Sequence, residues 1–231
     1  MGYAGTGGSL LIFEDRVDAG RRLAAALQKY SGEDVLVLAI PRGGVVIGYE
    51  VARALKSPLD IIVPRKLGAP GQPELAIGAV IAGNEGFVLD DEMIRYLGVS
   101  RRYIEEEAER QREESERRWR MFRGDRQFPN PEGKTVILVD DGVATGYTTL
   151  AAVRVLRQWK PKHLVLAVPV APPESAVRLR PEVDELVILE TPEPFFSVGS
   201  WYNRFDQTTD DEVMELLQRS RSGLDTEGMV A

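Results

Sequence analysis

The sequence predicts an α/β protein built on a doubly wound, mostly parallel β-sheet. Three observations carry that expectation. Short continuous apolar runs recur along the chain, as at Val35–Ile40, Thr135–Val139 and His163–Val168. Such runs suit strands buried on both faces. Amphipathic helical patterns alternate with them, which is the order of a crossover sheet. Glycine-bearing loops follow two of the runs and lead directly into helices, where open sheets of this class bind ligands.

The elements follow in order. Met1–Ser9 is rich in glycine and reads as a flexible tail, with the domain proper from 10 to 219. Gly2 and Thr6 match a myristoylation pattern, but nothing nearby supplies the second signal that stable anchoring needs. An apolar stub, Leu10–Phe13, precedes a helix capped by Asp15 or Asp18, with Ala19, Leu23, Ala26, Leu27 and Tyr30 on one face. The Val35–Ile40 strand ends at Pro41-Arg42-Gly43-Gly44, and a helix carrying Ile47, Val51, Ala54 and Leu55 follows. Leu59–Val63 is the next strand. Arg65–Glu74, with Gly68, Pro70, Gly71 and Pro73, reads as an irregular, mobile loop. Ala76–Ile81 and Phe87–Leu89 read as a hairpin about Gly83-Asn84.

Asp90–Arg123 is a charged helical insertion. Glu106 and Arg110, Glu113 and Arg117, Glu114 and Arg118, and Glu116 and Arg120 are spaced for favourable ion pairs, above a thin stripe of Ile104, Ala108, Trp119 and Phe122. Thr135–Val139, His163–Val168 and Glu185–Leu189 are strands, separated by helices over Ala152–Trp159 and Glu174–Leu179. Thr191–Thr209 is irregular and aromatic, with Phe195, Phe196, Trp201, Tyr202 and Phe205. A last helix is expected from Asp210 to Arg219, then a polar tail from 220 to 231.

Composition excludes several chemistries. The chain has 231 residues, a net charge of −7, one histidine and no cysteine. Disulfides, thiolate metal sites, a His-based zinc site and a Ser-His-Asp triad are set aside. An acidic chain lacks the basic face of a general nucleic-acid binder. No apolar run reaches membrane-spanning length, and a cytoplasmic location is expected.

The chemistry concentrates in Val136-Ile137-Leu138-Val139-Asp140-Asp141-Gly142-Val143-Ala144-Thr145-Gly146-Tyr147-Thr148-Thr149. A buried strand ends in two acids, and a Thr/Gly loop runs straight into a helix. The helix N-terminus offers unpaired N–H donors and a partial positive charge to a phosphate. Thr145, Thr148 and Thr149 add hydroxyls. A phosphate placed on the paired carboxylates would be repelled, so they suit sugar hydroxyls or a bound cation. The ligand described is a phosphate with a diol close by, such as ribose 5-phosphate.

This string resembles the signature for 5-phosphoribosyl-1-pyrophosphate (PRPP) in type I phosphoribosyltransferases. The resemblance covers about Val35 to Leu189 and implies the fold of that family. It implies that Asp140 and Asp141 bind the ribose hydroxyls, and that Ala144, Thr145, Gly146, Tyr147 and Thr148 wrap the 5-phosphate, with Gly142 and Val143 also among the PRPP-binding residues. Arg42, Gly43 and Gly44 are similar to the family's pyrophosphate loop. Arg65 and Lys66 resemble the start of its mobile loop, and 191–209 its variable hood. The implied reaction moves ribose 5-phosphate from PRPP to a nitrogenous acceptor, releasing pyrophosphate. Magnesium would bridge ligand oxygens, with Arg42 and Lys66 stabilising the leaving group and no protein metal ligand assigned. The 90–123 insertion resembles that of a bacterial subgroup, in which the acceptor is unnamed. A homodimer is left open. The rival reading is a PRPP- or nucleotide-sensing regulator that keeps the fold without the reaction.

Family members acting on hypoxanthine and guanine carry an Asp three residues beyond the second acid, where this chain has Ala144. Alanine can neither take a proton nor hydrogen-bond a ring nitrogen. Poor turnover of hypoxanthine and guanine is expected in a pyrophosphate-release assay. Efficient turnover of either by the unmodified protein would mean that another residue supplies the base.

Overall fold

The computed structural model describes residues 12–82, 87–124 and 126–228. The tail over 1–9, with its myristoylation pattern, and the turn at Gly83-Asn84 lie outside these. Five strands form a parallel sheet in the order β2-β1-β6-β7-β8: β1 (Val35–Ala39), β2 (Leu59–Ile61), β6 (Thr135–Val139), β7 (His163–Val170) and β8 (Glu185–Glu190). The doubly wound expectation holds. Successive residues of each central strand enter opposite cores. Val35, Val37 and Ala39 face one side with Ile137, Val139, Val165 and Ala167, while Leu36 and Leu38 face the other with Val136, Leu138, Leu164 and Leu166. This two-sided burial is why the strands read as unbroken apolar runs.

On the first face lie α1 (Arg16–Ala26), α2 (Gly43–Leu55) and α7 (Asp210–Gly228); on the second lie α5 (Tyr147–Gln158) and α6 (Pro173–Leu179). Of the two candidate caps for α1, Asp15 is the one used, accepting from the Asp18 amide at 2.9 Å. The last helix passes the expected Arg219 and runs to Gly228. No proline interrupts that segment, and its polar composition left no periodic signal beyond Leu217.

The segment Arg65–Glu74 departs from expectation. It is largely strand: β3 (Pro64–Ala69) and β4 (Gln72–Ile81) pair antiparallel about a tight turn at Pro70-Gly71. With β5 (Phe87–Leu89) they form a second, three-stranded sheet. The breakers are absorbed rather than expelled. The register shifts on both sides of Gly68, and β5 pairs only with Gly78–Val80, so Pro73 costs no bond on that edge.

The charged insertion breaks at Gly98 into α3 (Asp91–Leu97) and α4 (Arg101–Arg123). Glu114–Arg118 and Glu116–Arg120 pair as spaced, while Arg110 and Arg117 turn to Glu107 and Glu114, three residues back. These exposed pairs contribute little each. Burial fixes α4 instead. Ile104 and Ala108 pack with Leu67, Ala69, Ile77 and Val80 of the small sheet. The Ser115 hydroxyl donates to the Val63 carbonyl and accepts from the Ala82 amide. At the C-terminus Arg123, 1 % exposed, grips Asp60 of β2 through Nε at 2.6 Å and Nη2 at 2.8 Å. It also donates to the Arg126 and Gln127 carbonyls and lies over the Trp119 ring.

Removing one member of such a pair strands a buried charge. Arg123→Met should destabilise the protein by about 3–5 kcal/mol, and Asp60→Leu added to it should recover part of the loss. Urea unfolding checks this; a loss of under about 1 kcal/mol would show that water reaches Asp60.

Candidate functional site

Parallel pairing of β1 with β6 puts Ala39 beside Val139. The two chains therefore leave the sheet at one edge, and the segments Pro41–Gly44 and Asp140–Thr148 start side by side. Gly44 shows how closely. A Cβ there would lie 3.0 Å from both the Cα and Oδ1 of Asp140. The peptide between Pro41 and Arg42 is cis.

Both loops feed helices whose N-termini carry no side-chain cap: α2 after Arg42, and α5 after Gly146. By contrast α1, α3 and α4 are capped by Asp15, Asp90 and Ser100. Around the Asp140 loop the carbonyls are engaged. Ser175 donates to the Ala144 carbonyl at 2.6 Å and Arg178 to that of Thr145. The amides are not: no hydrogen bond among the described residues uses the N–H of Gly142, Ala144, Thr145 or Gly146. A loop with its carbonyls tied back and its amides open, ending at an uncapped helix, is an anion cradle. Gly146 sits at φ +79°, and a Cβ there would meet only ordinary contacts, 3.5 Å or more away. Its glycine answers to the left-handed backbone, not to crowding within the chain.

The two acids differ in their partners. Asp140 lies under the loop, its Oδ1 accepting from the Asp141 amide at 2.8 Å. Burial pushes its carboxyl well above the usual carboxylate range, and the Asp141 charge adds to this. Burial raises Asp141 too, but the Arg16 guanidinium opposes the shift. Arg16 Nε donates to Asp141 Oδ2 at 2.7 Å. The Tyr202 hydroxyl donates to the Asp141 carbonyl, and burial raises that phenol.

Sequence reasoning missed Arg16, Tyr202, Ser175 and Arg178. None sits in a motif, and Arg16 and Tyr202 lie over a hundred positions apart in the chain. The aromatic segment divides on folding. Tyr202 is buried against Phe13, Phe205 carries Arg16 over its ring, and Phe196 faces solvent. Arg42 points across α2 toward Asp210 of α7, at 3.7 Å. Arg65 and Lys66 stand on β3 in a cavity of about 290 Å³ with Tyr103, Glu107, Arg110 and Gln111 of α4; Thr148 joins that wall. Arg65 donates to Gln111 at 3.1 Å. The helical insertion thus lines a cavity that reaches the Asp140 loop.

A family model described as the phosphoribosyl transferase domain matches residues 6–200. A Mycobacterium tuberculosis protein, known from two strains under the name "Putative phosphoribosyl transferase", is 44 % identical over 210 residues. That alignment takes in 90 % of this chain and 47 % of the relative, so the chain spans about half the length of the curated relatives it matches. The crystal structure of TT1426 from Thermus thermophilus is similar at 44 % identity and a TM-score of 0.84, over 90 % of this chain and 99 % of that one. A hypoxanthine-guanine phosphoribosyltransferase from Bacillus anthracis aligns at 18 % identity with a TM-score of 0.45, over 81 % of this chain and 85 % of that one, too remote to bear on the acceptor.

The raised Asp140 carboxyl has a consequence for stability. The folded state holds that proton to higher pH than the unfolded chain, whose Asp titrates near pH ~3.9. The group's contribution is therefore complete below about pH 3.9 and is lost as pH rises through the raised folded value. Asp140→Asn removes a carboxyl that is costly to ionise. In the ligand-free protein it should be more stable than wild type at neutral pH, and the gain should vanish near pH ~4. Urea unfolding at both pH values checks this; a gain that does not depend on pH would mean that ionisation of Asp140 is not its source.

Proposed function

The chain belongs to the phosphoribosyl transferase family, and on that premise we propose that it transfers ribose 5-phosphate from PRPP to a nitrogenous acceptor, releasing pyrophosphate. The observation that carries this reading is the loop of open amides ending at the uncapped α5, beside two half-buried acids at a parallel strand's end. In this reading Gly142, Val143, Ala144, Thr145, Gly146, Tyr147 and Thr148 hold the 5-phosphate. Asp140 and Asp141 take the ribose hydroxyls, acting as acceptors. Arg42, Gly43 and Gly44, at the start of the uncapped α2, receive the pyrophosphate, and Arg65 and Lys66 approach from β3.

Rupture at the anomeric carbon builds positive charge on the sugar and negative charge on the leaving group. Catalysis then rests on positioning and on prearranged dipoles. The open helix termini and Arg42 supply those dipoles and a cationic fork. Magnesium, when bound, would neutralise leaving-group charge. Among the described residues no group of three or more His, Cys, Asp or Glu is placed to hold a metal ion by itself. The acceptor would enter from the 191–209 side, as a hood would require. Among the described residues no helix is long and apolar enough to cross a membrane, and we place the reaction in the cytoplasm.

Calorimetric titration with magnesium and PRPP tests this reading, followed by a pyrophosphate assay with pooled bases. Wild type should bind and turn over. Gly146→Val, forced into a left-handed backbone, should lose affinity by about tenfold or more. Unchanged affinity in that variant would remove the phosphate loop from the proposal. Binding without turnover for any base would favour the sensor reading.

A further inference from the structure

One ion pair joins the acidic loop to a residue that the family motif does not mark. Arg16 begins α1, far in sequence from the Asp140 loop, yet its Nε lies 2.7 Å from Asp141 Oδ2. The pair is shielded, with the two side chains 12 % and 16 % exposed. The guanidinium is held from two further directions. Nη1 donates to the Asp206 carbonyl at 2.6 Å, and the plane lies 3.8 Å from the Phe205 ring centroid. An Arg clamped in this way is pre-organised for one bond, the bond to Asp141.

Gly43 reports the same constraint from the other side. A Cβ at that position would fall 1.9 Å from Asp141 Oδ2 and 2.7 Å from Arg16 Nε. Any other residue there would collide with the ion pair. The glycine of the Pro41–Gly44 loop is thus required by the Arg16–Asp141 contact before any ligand is considered.

We propose that Arg16 is a positioning residue for the acidic pair, holding the Asp141 carboxylate charged and aimed so that it can accept from a ribose hydroxyl. This rests on the reading of Asp141 as a ribose ligand. The need for such a residue follows from the surroundings. Asp141 is half-buried, it abuts Asp140, and its own carbonyl takes the Tyr202 hydroxyl. The titratable groups facing it are Asp140 just past the end of β6, Arg16 from α1 and Tyr202 from the C-terminal segment, with Glu212 of α7 acting on Arg16. Arg16 is the cation in that set. Without it, burial would favour a protonated Asp141, which would offer a proton where the sugar hydroxyl needs an acceptor. Through Phe205 and Asp206 the same Arg ties the diacid to the C-terminal segment, so the site is completed by both ends of the chain.

The test reads Asp141 directly. The carboxyl carbon of Asp141 is titrated by NMR in the ligand-free full chain, in wild type, Arg16→Met, Arg16→Gln and Arg16→Lys. The two neutral variants should raise the midpoint by about 1–3 units, and Lys should restore most of it. Calorimetry with magnesium and PRPP adds a second readout. The neutral variants should bind more weakly on the acid side of the displaced midpoint, about tenfold for each unit of displacement, and approach wild type on its alkaline side. If Arg16→Met does not fold, Arg16→Gln carries the comparison. An unmoved midpoint in the neutral variants, or an affinity loss equal at every pH, would overturn the inference and leave Arg16 a structural contact. If wild type binds no PRPP, the proposed function falls while the NMR titration still decides whether Arg16 sets the charge of Asp141.

Discussion

The site depends on the parallel pairing of β1 with β6. Because Ala39 is in register with Val139, the two strands end together. Their loops must then turn off the sheet at the same edge, and the helices that follow present their N-termini there. No side chain needs to reach far to build an anion site in that arrangement. The open amides and the helix ends supply the field, and the strand register supplies the alignment. Gly44 is the local expression of this constraint, since only its missing Cβ lets the start of α2 lie against Asp140.

The same crowding makes the site a burden on the folded state. Two neighbouring carboxyls are half-buried, partly withdrawn from the water that would otherwise stabilise their charge. The protein offsets part of that penalty with a single guanidinium and a backbone amide, leaving Asp140 the more strongly shifted of the two. Arg16 is supplied by α1 and steadied by Phe205 and Asp206, so distant parts of the chain are committed to one carboxylate. Adjacent carboxyls with shifted titration at a strand end are an arrangement found more often at functional sites than in a core.

The helical insertion contributes differently. Its exposed face is a lattice of weak ion pairs, and its buried face does the anchoring. Ser115 and Arg123 fix α4 to the β2 edge, while Ile104 and Ala108 seat it on the small sheet. Anchored there, α4 turns Tyr103, Glu107, Arg110 and Gln111 toward the cavity that Thr148 also lines. A segment that reads as a solvated helix thereby becomes a wall next to the Asp140–Thr148 loop.

The central sheet, its order of helices and the acidic Thr/Gly loop were legible in the residues alone. Burial on both faces demands continuous apolar runs, and a tight loop entering an uncapped helix at a left-handed residue demands a glycine such as Gly146; both leave local patterns. The β3–β4 hairpin was not legible, because Gly68, Pro70, Gly71 and Pro73 are breakers unless a register shift and an unpaired edge absorb them, and only the folded sheet supplies these. The extent of α7 left no apolar period to read. Arg16, Tyr202, Ser175 and Arg178 were invisible for a different reason: a lone Arg, Tyr or Ser outside a motif has no signal of its own. Tertiary structure alone decided that α1 and the C-terminal segment close on Asp141, because a contact between residues so far apart in the chain exists only once the sheet between them is built.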